Sequence, residues 1–371
     1  MTDGGFGLSA LVPAAGASSR MGTCKILQPV GGRPALEGLT ERLREAGVCD
    51  ILVVTGFHGE KVGALAKSLG CRTVENPAPE RGMLSSVRCG IASMGPDVSG
   101  IVLLPGDTPL VKPRTIRALA ARFREGADLL IPSFGGITGH PPVIGRERFR
   151  GILGWNGPMG LNGYFGSLPV PPEIFPVADQ AILMDMDTPE DYRALLDYRE
   201  REDVPTPGEC TELLKLAGTP IGAVGHGRQV ARVALILANA LPMGKGFRPE
   251  RLEAAAFLHD VKKGTDRHAG AGAEWLAQQG YPEVGRLAEK HHDLDPDESD
   301  WEARILYLAD KLVSGTRVVF PENRMETMRQ RFAGDRAALA AAEVRLERAW
   351  QILKEVESLC GKSVFSILER S

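Results

Sequence analysis

The chain has 371 residues, 43% hydrophobic and 25% charged, with a formal net charge of −3 at pH 7. That length exceeds one ordinary hydrophobic core and points to two domains, and the near-neutral balance gives no general pull toward nucleic acid or acidic membranes. No apolar run reaches bilayer length, residues 1–7 lack the basic start and apolar stretch of a secretory signal, and the six cysteines form no C-x-x-C pair, so a reduced, cytoplasmic protein is expected.

In chain order, Leu8–Val12 reads as a strand, Leu36–Ala46 as an amphipathic helix, Ile51–Thr55 as a strand, Lys61–Leu69 as a helix and Ile101–Leu104 as a strand. Strands without polar alternation, separated by helices, predict a mostly parallel sheet with helices on both faces, whose ligands collect at the carboxyl ends of the strands. A charged helical stretch, Pro189–Glu202, runs into Val204-Pro205-Thr206-Pro207-Gly208. This break predicts a first domain over 1–203, a linker over 204–209 and a second domain over 210–371. Beyond Cys210 no strand is expected. Val230, Val233, Ala234, Leu237 and Leu241 recur at helical spacing, as do Ile305, Leu308, Ala309 and Leu312, and a helix through Ala337 to Ser358 closes an all-helical domain.

Directly after the first strand comes Pro13-Ala14-Ala15-Gly16-Ala17-Ser18-Ser19-Arg20-Met21-Gly22-Thr23-Cys24-Lys25. Small residues such as Ala14, Ala15, Gly16 and Gly22 let backbone amides approach a polyphosphate, and Arg20 and Lys25 supply fixed positive charge. The segment is not a Walker loop. Asp107, in Pro105-Gly106-Asp107-Thr108-Pro109, ends a later strand, where a carboxylate would hold Mg²⁺ against a nucleotide; capping a helix over Arg114–Arg124 is the alternative. Asp185 and Asp187 alternate on an extended segment and so share one face, while Asp187 before Thr188-Pro189 is equally a helix cap.

Taken in order, Pro13–Lys25, Gly82–Ile91, Gly106–Pro109, Gly139-His140-Pro141 and Asp185–Pro189 resemble the molybdenum cofactor nucleotidyltransferases, over roughly residues 8 to 200. The resemblance implies an α/β Rossmann-like fold and Mg²⁺-assisted attack by an acceptor phosphate oxygen on the α-phosphorus of a nucleoside triphosphate, releasing pyrophosphate. It makes Arg20 and Lys25 catalytic triphosphate contacts and Asp107 and Asp187 the Mg²⁺ ligands. Ala14, Ala15, Gly16 and Gly22 then line the phosphates, and Ser85, Ser86 and His140 face nucleotide or acceptor. Ala15 stands where cytidylyl members carry Ala and guanylyl members Gly, which implies CTP. Thr108, Leu84 and the segment Gly154–Tyr164 depart from the family pattern. The implied acceptor is molybdopterin, with a phosphorylated sugar, alcohol or isoprenoid precursor as the alternative. The partners expected are these small molecules, a molybdoenzyme or cofactor chaperone, and a second copy of the chain, with no nucleic acid and no membrane.

Five of the seven histidines lie between 226 and 292. His226 is expected to open a helix and His259-Asp260 to close another; His268, His291-His292 and Asp310 follow, the last on an apolar helix. Imidazoles and carboxylates from several helix ends suit one or two transition metals such as Mn²⁺, Fe²⁺ or Ni²⁺, and a water held there loses a proton near neutral pH and attacks phosphorus. The alternatives are a hydrogen-bonded core histidine at His268 or His292 and a solvent-exposed His-His pair. This ordering resembles the HD superfamily of metal-dependent phosphohydrolases over about residues 211 to 320. The resemblance implies His226, His259, Asp260 and Asp310 as core metal ligands, with Asp260 also catalytic, and His268 and His291 as an additional pair, His292 being a lesser candidate. Lys263, Lys311 and Arg317 are candidate phosphate contacts. Val318–Arg331 and the closing helix are expected to pack the domain or mediate self-association. A second reading makes this half a metal- or nucleotide-sensing module without turnover.

Overall fold

The computed structural model describes residues 7–331 and 334–369. The chain forms two compact units, residues 1–202 and 203–371. In the first, β1 (Leu8–Pro13) leads to a short ribbon, β2 (Pro29–Val30) and β3 (Arg33–Pro34), and then to α1 (Ala35–Glu45), β4 (Ile51–Thr55), α2 (Gly59–Ser68), β5 (Arg72–Glu75) and α3 (Met83–Ala92). There follow β6 (Gly100–Leu103), α4 (Pro113–Arg124), β7 (Leu129–Phe134), β8 (Ile137–Thr138) and β9 (Val143–Gly145), and then α5 (Phe149–Gly154), α6 (Gly160–Gly166), β10 (Glu173–Pro176) and α7 (Pro189–Glu200).

The main sheet runs β10-β7-β9-β6-β1-β4-β5, with β8 paired to β7. Strands β6, β1, β4 and β5 are mutually parallel, as are β7 and β10; β9 is antiparallel to both its neighbours. The period-2 geometry of the strands explains how one sheet supports two cores. Ala10, Val12, Val53 and Val102 face one side and pack with Leu36, Leu39 and Leu43 of α1, Val62 of α2 and Leu119 of α4. Leu11, Leu52, Val54 and Ile101 face the other and pack with Val87 of α3, Ile152 of α5 and Phe165 of α6. Each fully buried aliphatic side chain of this kind contributes about 1.5–3 kcal/mol. The chain leaves β1 in one direction toward β4 and β5 and returns on the other side at β6. That reversal opens a crevice beyond the carboxyl ends of β1 and β6.

The second unit is helical: α8 (Pro207–Leu216), α9 (Ile221–Ala240), α10 (Pro249–Leu258), α11 (His268–Gln278), α12 (Pro282–Glu289) and α13 (Trp301–Lys311). A small hairpin, β11 (Val313–Ser314) with β12 (Arg317–Val318), precedes α14 (Pro321–Arg331), α15 (Arg336–Cys360) and α16 (Val364–Glu369). Three expectations change here. The hairpin is a strand pair where none was anticipated, the long helix α15 is followed by α16 rather than closing the chain, and residues 207–209 belong to a helix rather than a linker. The last has a local cause: Thr206 Oγ accepts from the Glu209 amide at 3.2 Å while the Glu209 carboxylate accepts from the Thr206 amide at 3.0 Å, and Pro207 takes the first helical position. Among the described residues no helix is long and apolar enough to cross a membrane.

Candidate active sites

In the first unit, the loop after β1 is fastened to the sheet before it turns outward. The Ala14 amide donates to Val54 O at 2.8 Å, and Ala15 O accepts from the Phe57 amide at 3.3 Å. Gly56 makes this approach feasible, because a Cβ there would lie 2.7 Å from both the Cβ and the O of Ala15. Ser18 turns the loop with φ 53°, and its hydroxyl accepts from the Lys25 amide at 3.1 Å. The loop after β6 is stapled beside it: the Gly106 amide donates to Pro13 O at 3.0 Å, which brings Asp107 alongside the β1 loop.

The charged residues of three distant segments converge there. Lys25 Nζ lies 2.5 Å from Asp107 Oδ2 and 2.8 Å from Asp187 Oδ1, and Arg20 Nη1 lies 3.1 Å from Asp187 Oδ2. Burial opposes the charge on Lys25, but the Asp107 and Asp187 carboxylates outweigh it and hold the ammonium above its ordinary pKa. Asp187 is held below its ordinary value chiefly by its hydrogen bond to Lys25. Neither aspartate caps a helix. Lys112 is the N-cap of α4, and Thr188 caps α7 through a reciprocal pair with Asp191. Two carboxylates from separate loops that can share one ammonium can also share one divalent cation, and oxygen-only donors suit Mg²⁺.

The period-2 pairing of Asp185 with Asp187 is not seen as a shared contact. Asp187 meets Lys25, whereas Asp185 lines a cavity of about 640 Å³ together with His140, Thr108, Met159, Leu161 and Asn162. Burial, then the nearby Asp187 and Asp107, pushes Asp185 up. His140 is held below its ordinary value by burial, and its Nδ1 is buried with no hydrogen-bond partner. A neutral imidazole with a spare nitrogen at the cavity wall is able to hydrogen-bond an acceptor. Ser85 and Ser86 are engaged within the protein: the amide of buried Asn76 donates to Ser85 Oγ at 2.8 Å and to Ser86 Oγ at 3.0 Å. Asn76 and Gly56 had no sequence signal, because each matters only through a neighbour far away in the chain.

In the second unit, three helices (α9, α11 and α13) and the ends of two more (α10 and α12) supply one cluster. His226 lies within the second turn of α9 rather than at its start. It meets α10 because Gly227 lets the helices touch: a Cβ there would fall 2.4 Å from Phe257 O. His226 Nε2 is 3.0 Å from Asp310 Oδ1. His259 Nε2 lies 3.5 Å from Asp260 Oδ2 and 3.6 Å from Asp310 Oδ1, is buried, and makes no hydrogen bond. Asp260 Oδ1 is 3.3 Å from His268 Nε2 and 3.6 Å from His291 Nε2. The opposite ring nitrogens are tied back: His226 Nδ1 to Gly315 O at 3.0 Å, His259 Nδ1 to Ala256 O at 2.7 Å and His291 Nδ1 to Ala288 O at 2.7 Å. Backbone carbonyls thus fix each ring with Nε2 free to face the carboxylates, which is the arrangement metal-ligating histidines use.

Donor atoms of His226, His259 and Asp310 lie within 4.8 Å of one another, and so do those of His259, Asp260 and His291. Burial raises the cost of charge on both aspartates, yet the surrounding histidines at Asp260, and Lys311 and His226 at Asp310, keep them ionised far below the usual carboxylate range. Burial pushes His291 well below its ordinary value and keeps it neutral, the ligating form. The orphaned His259 Nε2 and this mixed imidazole–carboxylate donor set fit a transition metal.

The other expectations divide. His291 and His292 are not an exposed pair, since His291 is buried while His292 is half-buried and hydrogen-bonds Asp293. Lys263 pairs with Asp260 at 3.0 Å. Lys311 is buried, donating to Asp310 Oδ2 at 2.7 Å and His291 O at 2.8 Å, and it also lines the cavity of about 540 Å³ beside the cluster. Arg317 is exposed on β12 and does not line the cavity of about 540 Å³ beside the cluster. Helices α14 and α15, expected only to pack or self-associate, wall that cavity with Arg324, Ala338, Ala341 and Arg345.

The first unit has the fold of a nucleotidyltransferase domain, and the second is a helical domain that carries a histidine–aspartate cluster. Residues 10–169 match the MobA-like NTP transferase domain and residues 224–315 match the HD domain, and the chain carries these two domains in that order. The chain is 32% identical over 147 residues to bifunctional protein GlmU of Sorangium cellulosum (strain So ce56), covering 38% of this chain and 31% of that protein. It spans about a third of the length of the curated relatives it matches. Among solved structures, Rv0371c from Mycobacterium tuberculosis H37Rv aligns at 28% identity and TM-score 0.46, covering 51% of this chain and 98% of that one. A nucleotidyl transferase from Methanothermobacter thermautotroptrophicus aligns at 25% identity and TM-score 0.46, covering 53% and 98%.

Proposed function

We propose that the first domain, within the cytoplasm, transfers a cytidylyl group from CTP to a phosphorylated acceptor, molybdopterin, and that the HD domain is a metal-dependent phosphohydrolase. The observation that carries the transferase reading is the convergence of Lys25, Arg20, Asp107 and Asp187 beside the β1 loop. Asp107 and Asp187 would hold Mg²⁺, which neutralises charge on the phosphates as they react. Arg20 and Lys25 offset the triphosphate's remaining charge, and the amides of Ala14 to Gly22 line its path. The acceptor's phosphate oxygen forms a bond to the α-phosphorus as the α–β bridging bond breaks, and pyrophosphate carries away that electron pair. Neutral His140 and Asp185 line the cavity in which the acceptor would be oriented.

The same cavity favours keeping a second acceptor class. Met159, Gly160, Leu161 and Asn162 line it, and these belong to the segment that departs from the molybdopterin-type pattern. A phosphorylated sugar, alcohol or isoprenoid precursor is therefore the alternative. Pyrophosphate release from CTP and GTP, measured with molybdopterin and with each alternative, tests the reading; turnover with no member of the set would refute it.

In the HD domain, His226, His259, Asp260 and Asp310 would hold the metal, with His268 and His291 available to a second ion. Such a centre supplies a deprotonated water near neutral pH. Asp260 ties His259, His268 and His291 into one charge-balanced group, and Lys311 fixes Asp310. Phosphate release from phosphomonoesters and nucleotides by the Mn²⁺- or Fe²⁺-loaded protein tests this. Nucleotide binding without cleavage would favour the sensor reading instead.

A further inference from the structure

Lys25 does more in this geometry than wait for a triphosphate. Its ammonium sits between Asp107 and Asp187, at 2.5 and 2.8 Å, with only 14% of its side chain exposed. Those are the two carboxylates that the transferase reading assigns to Mg²⁺. Mg²⁺ needs carboxylate oxygens at about 2.0–2.1 Å in near-octahedral order. An ammonium already touching both carboxylates occupies that place, and two cations cannot share it. For the metal to enter, Lys25 must leave, and a half-buried ammonium that gives up two carboxylates is best compensated by another anion. The bound triphosphate is that anion.

We infer that Lys25 is an internal competitor for the metal, which makes Mg²⁺ binding between Asp107 and Asp187 depend on prior or simultaneous nucleotide binding. Without nucleotide, the lysine neutralises the two carboxylates and holds them together. With nucleotide, Lys25 exchanges the carboxylates for the phosphates and frees them for the cation. Linkage makes the effect reciprocal, so nucleotide strengthens Mg²⁺ binding by the factor by which Mg²⁺ strengthens nucleotide binding. Asp187 is also held by Arg20 at 3.1 Å, but Arg20 is 71% exposed and touches one carboxylate only, so it does not block the position.

This inference rests on the transferase reading, and titration calorimetry of the full chain with Mg²⁺ separates the two. The heat lost in Asp107→Asn identifies the first-domain site and excludes the HD cluster. In nucleotide-free protein, Lys25→Met should bind Mg²⁺ at that site about 10-fold or more tighter than wild type, within the roughly 5–150-fold range of such couplings. Lys25→Arg keeps the charge and should stay as weak as wild type, which shows that the gain in Lys25→Met comes from removing the cation. Adding a non-hydrolysable CTP analogue should tighten Mg²⁺ binding in wild type far more than in Lys25→Met. Equal or weaker nucleotide-free affinity in folded Lys25→Met would overturn the inference. Absence of any Asp107-dependent Mg²⁺ binding in wild type, even with the analogue, would overturn the transferase reading beneath it.

Discussion

Replacing Gly56 by alanine tests whether the β1 loop must be held where it is. An added Cβ would meet Ala15 Cβ and Ala15 O at 2.7 Å and Pro79 Cβ at 2.9 Å. Ordinary separations start at about 3.5 Å, so Ala15 has to move by roughly 0.8 Å. It cannot do so freely, because the Ala14 amide is bonded to Val54 O at 2.8 Å and Ala15 O to the Phe57 amide at 3.3 Å. The loop carrying Arg20 and Lys25 therefore shifts. A misplacement near 1 Å costs about 100-fold in rate, and overpacking of this kind costs about 1–3 kcal/mol in stability. Gly100→Ala is the control: its Cβ would lie 2.7 Å from the Phe123 ring and 2.9 Å from Ile144 O, at the opposite end of β6 from Asp107. Both variants should lose comparable stability by calorimetry. Only Gly56→Ala should lose about 100-fold in kcat for pyrophosphate release, assayed below the melting transition. If Gly56→Ala keeps kcat within about threefold of wild type, or Gly100→Ala loses as much, the loop's placement is not what the rate depends on.

Three further outcomes are expected. Asp107→Ala should lower pyrophosphate release by at least about 100-fold while nucleotide still binds in a filter or calorimetric assay, since a transition-state charge partner is removed; retained turnover would reject its metal role. His259→Ala combined with Asp260→Ala should strip the transition metal from the second domain, and unchanged metal content by elemental analysis would contradict the ligand assignment. Glu202 is 13% exposed and forms a two-point pair with Arg42 at 2.6 and 2.7 Å, so Glu202→Gln should cost about 3 kcal/mol by leaving Arg42 poorly compensated. Burial works against ionised Glu202, but Arg42 prevails and holds it below its ordinary 4.5. Its stabilisation is therefore complete above that value and fades as pH falls through the lower folded one. Melting temperatures should show wild type losing its advantage over Glu202→Gln only in that acid window, and a constant gap across it would disprove the linkage.

Sequence alone determined the elements and the order of the motifs. Apolar strands at Leu8–Pro13 and Ile51–Thr55, amphipathic stretches in α1 and α2, and an excess of histidines from residue 226 on are local patterns, set by periodicity and residue chemistry. The residues that converge on the first site could be named in advance because strand ends face one crevice in such sheets. Tertiary structure alone decided how those residues are spent. Lys25 bridges two aspartates, Asp185 parts from Asp187 to line the cavity, Asn76 engages Ser85 and Ser86, and Lys311 is buried beside the histidine–aspartate cluster. The place of α14 and α15 at the second cavity was equally illegible, because their charged and small residues carry no periodic signal for a wall. A side chain's partner depends on which elements pack together, and packing joins positions such as 25 and 187 that no local pattern relates.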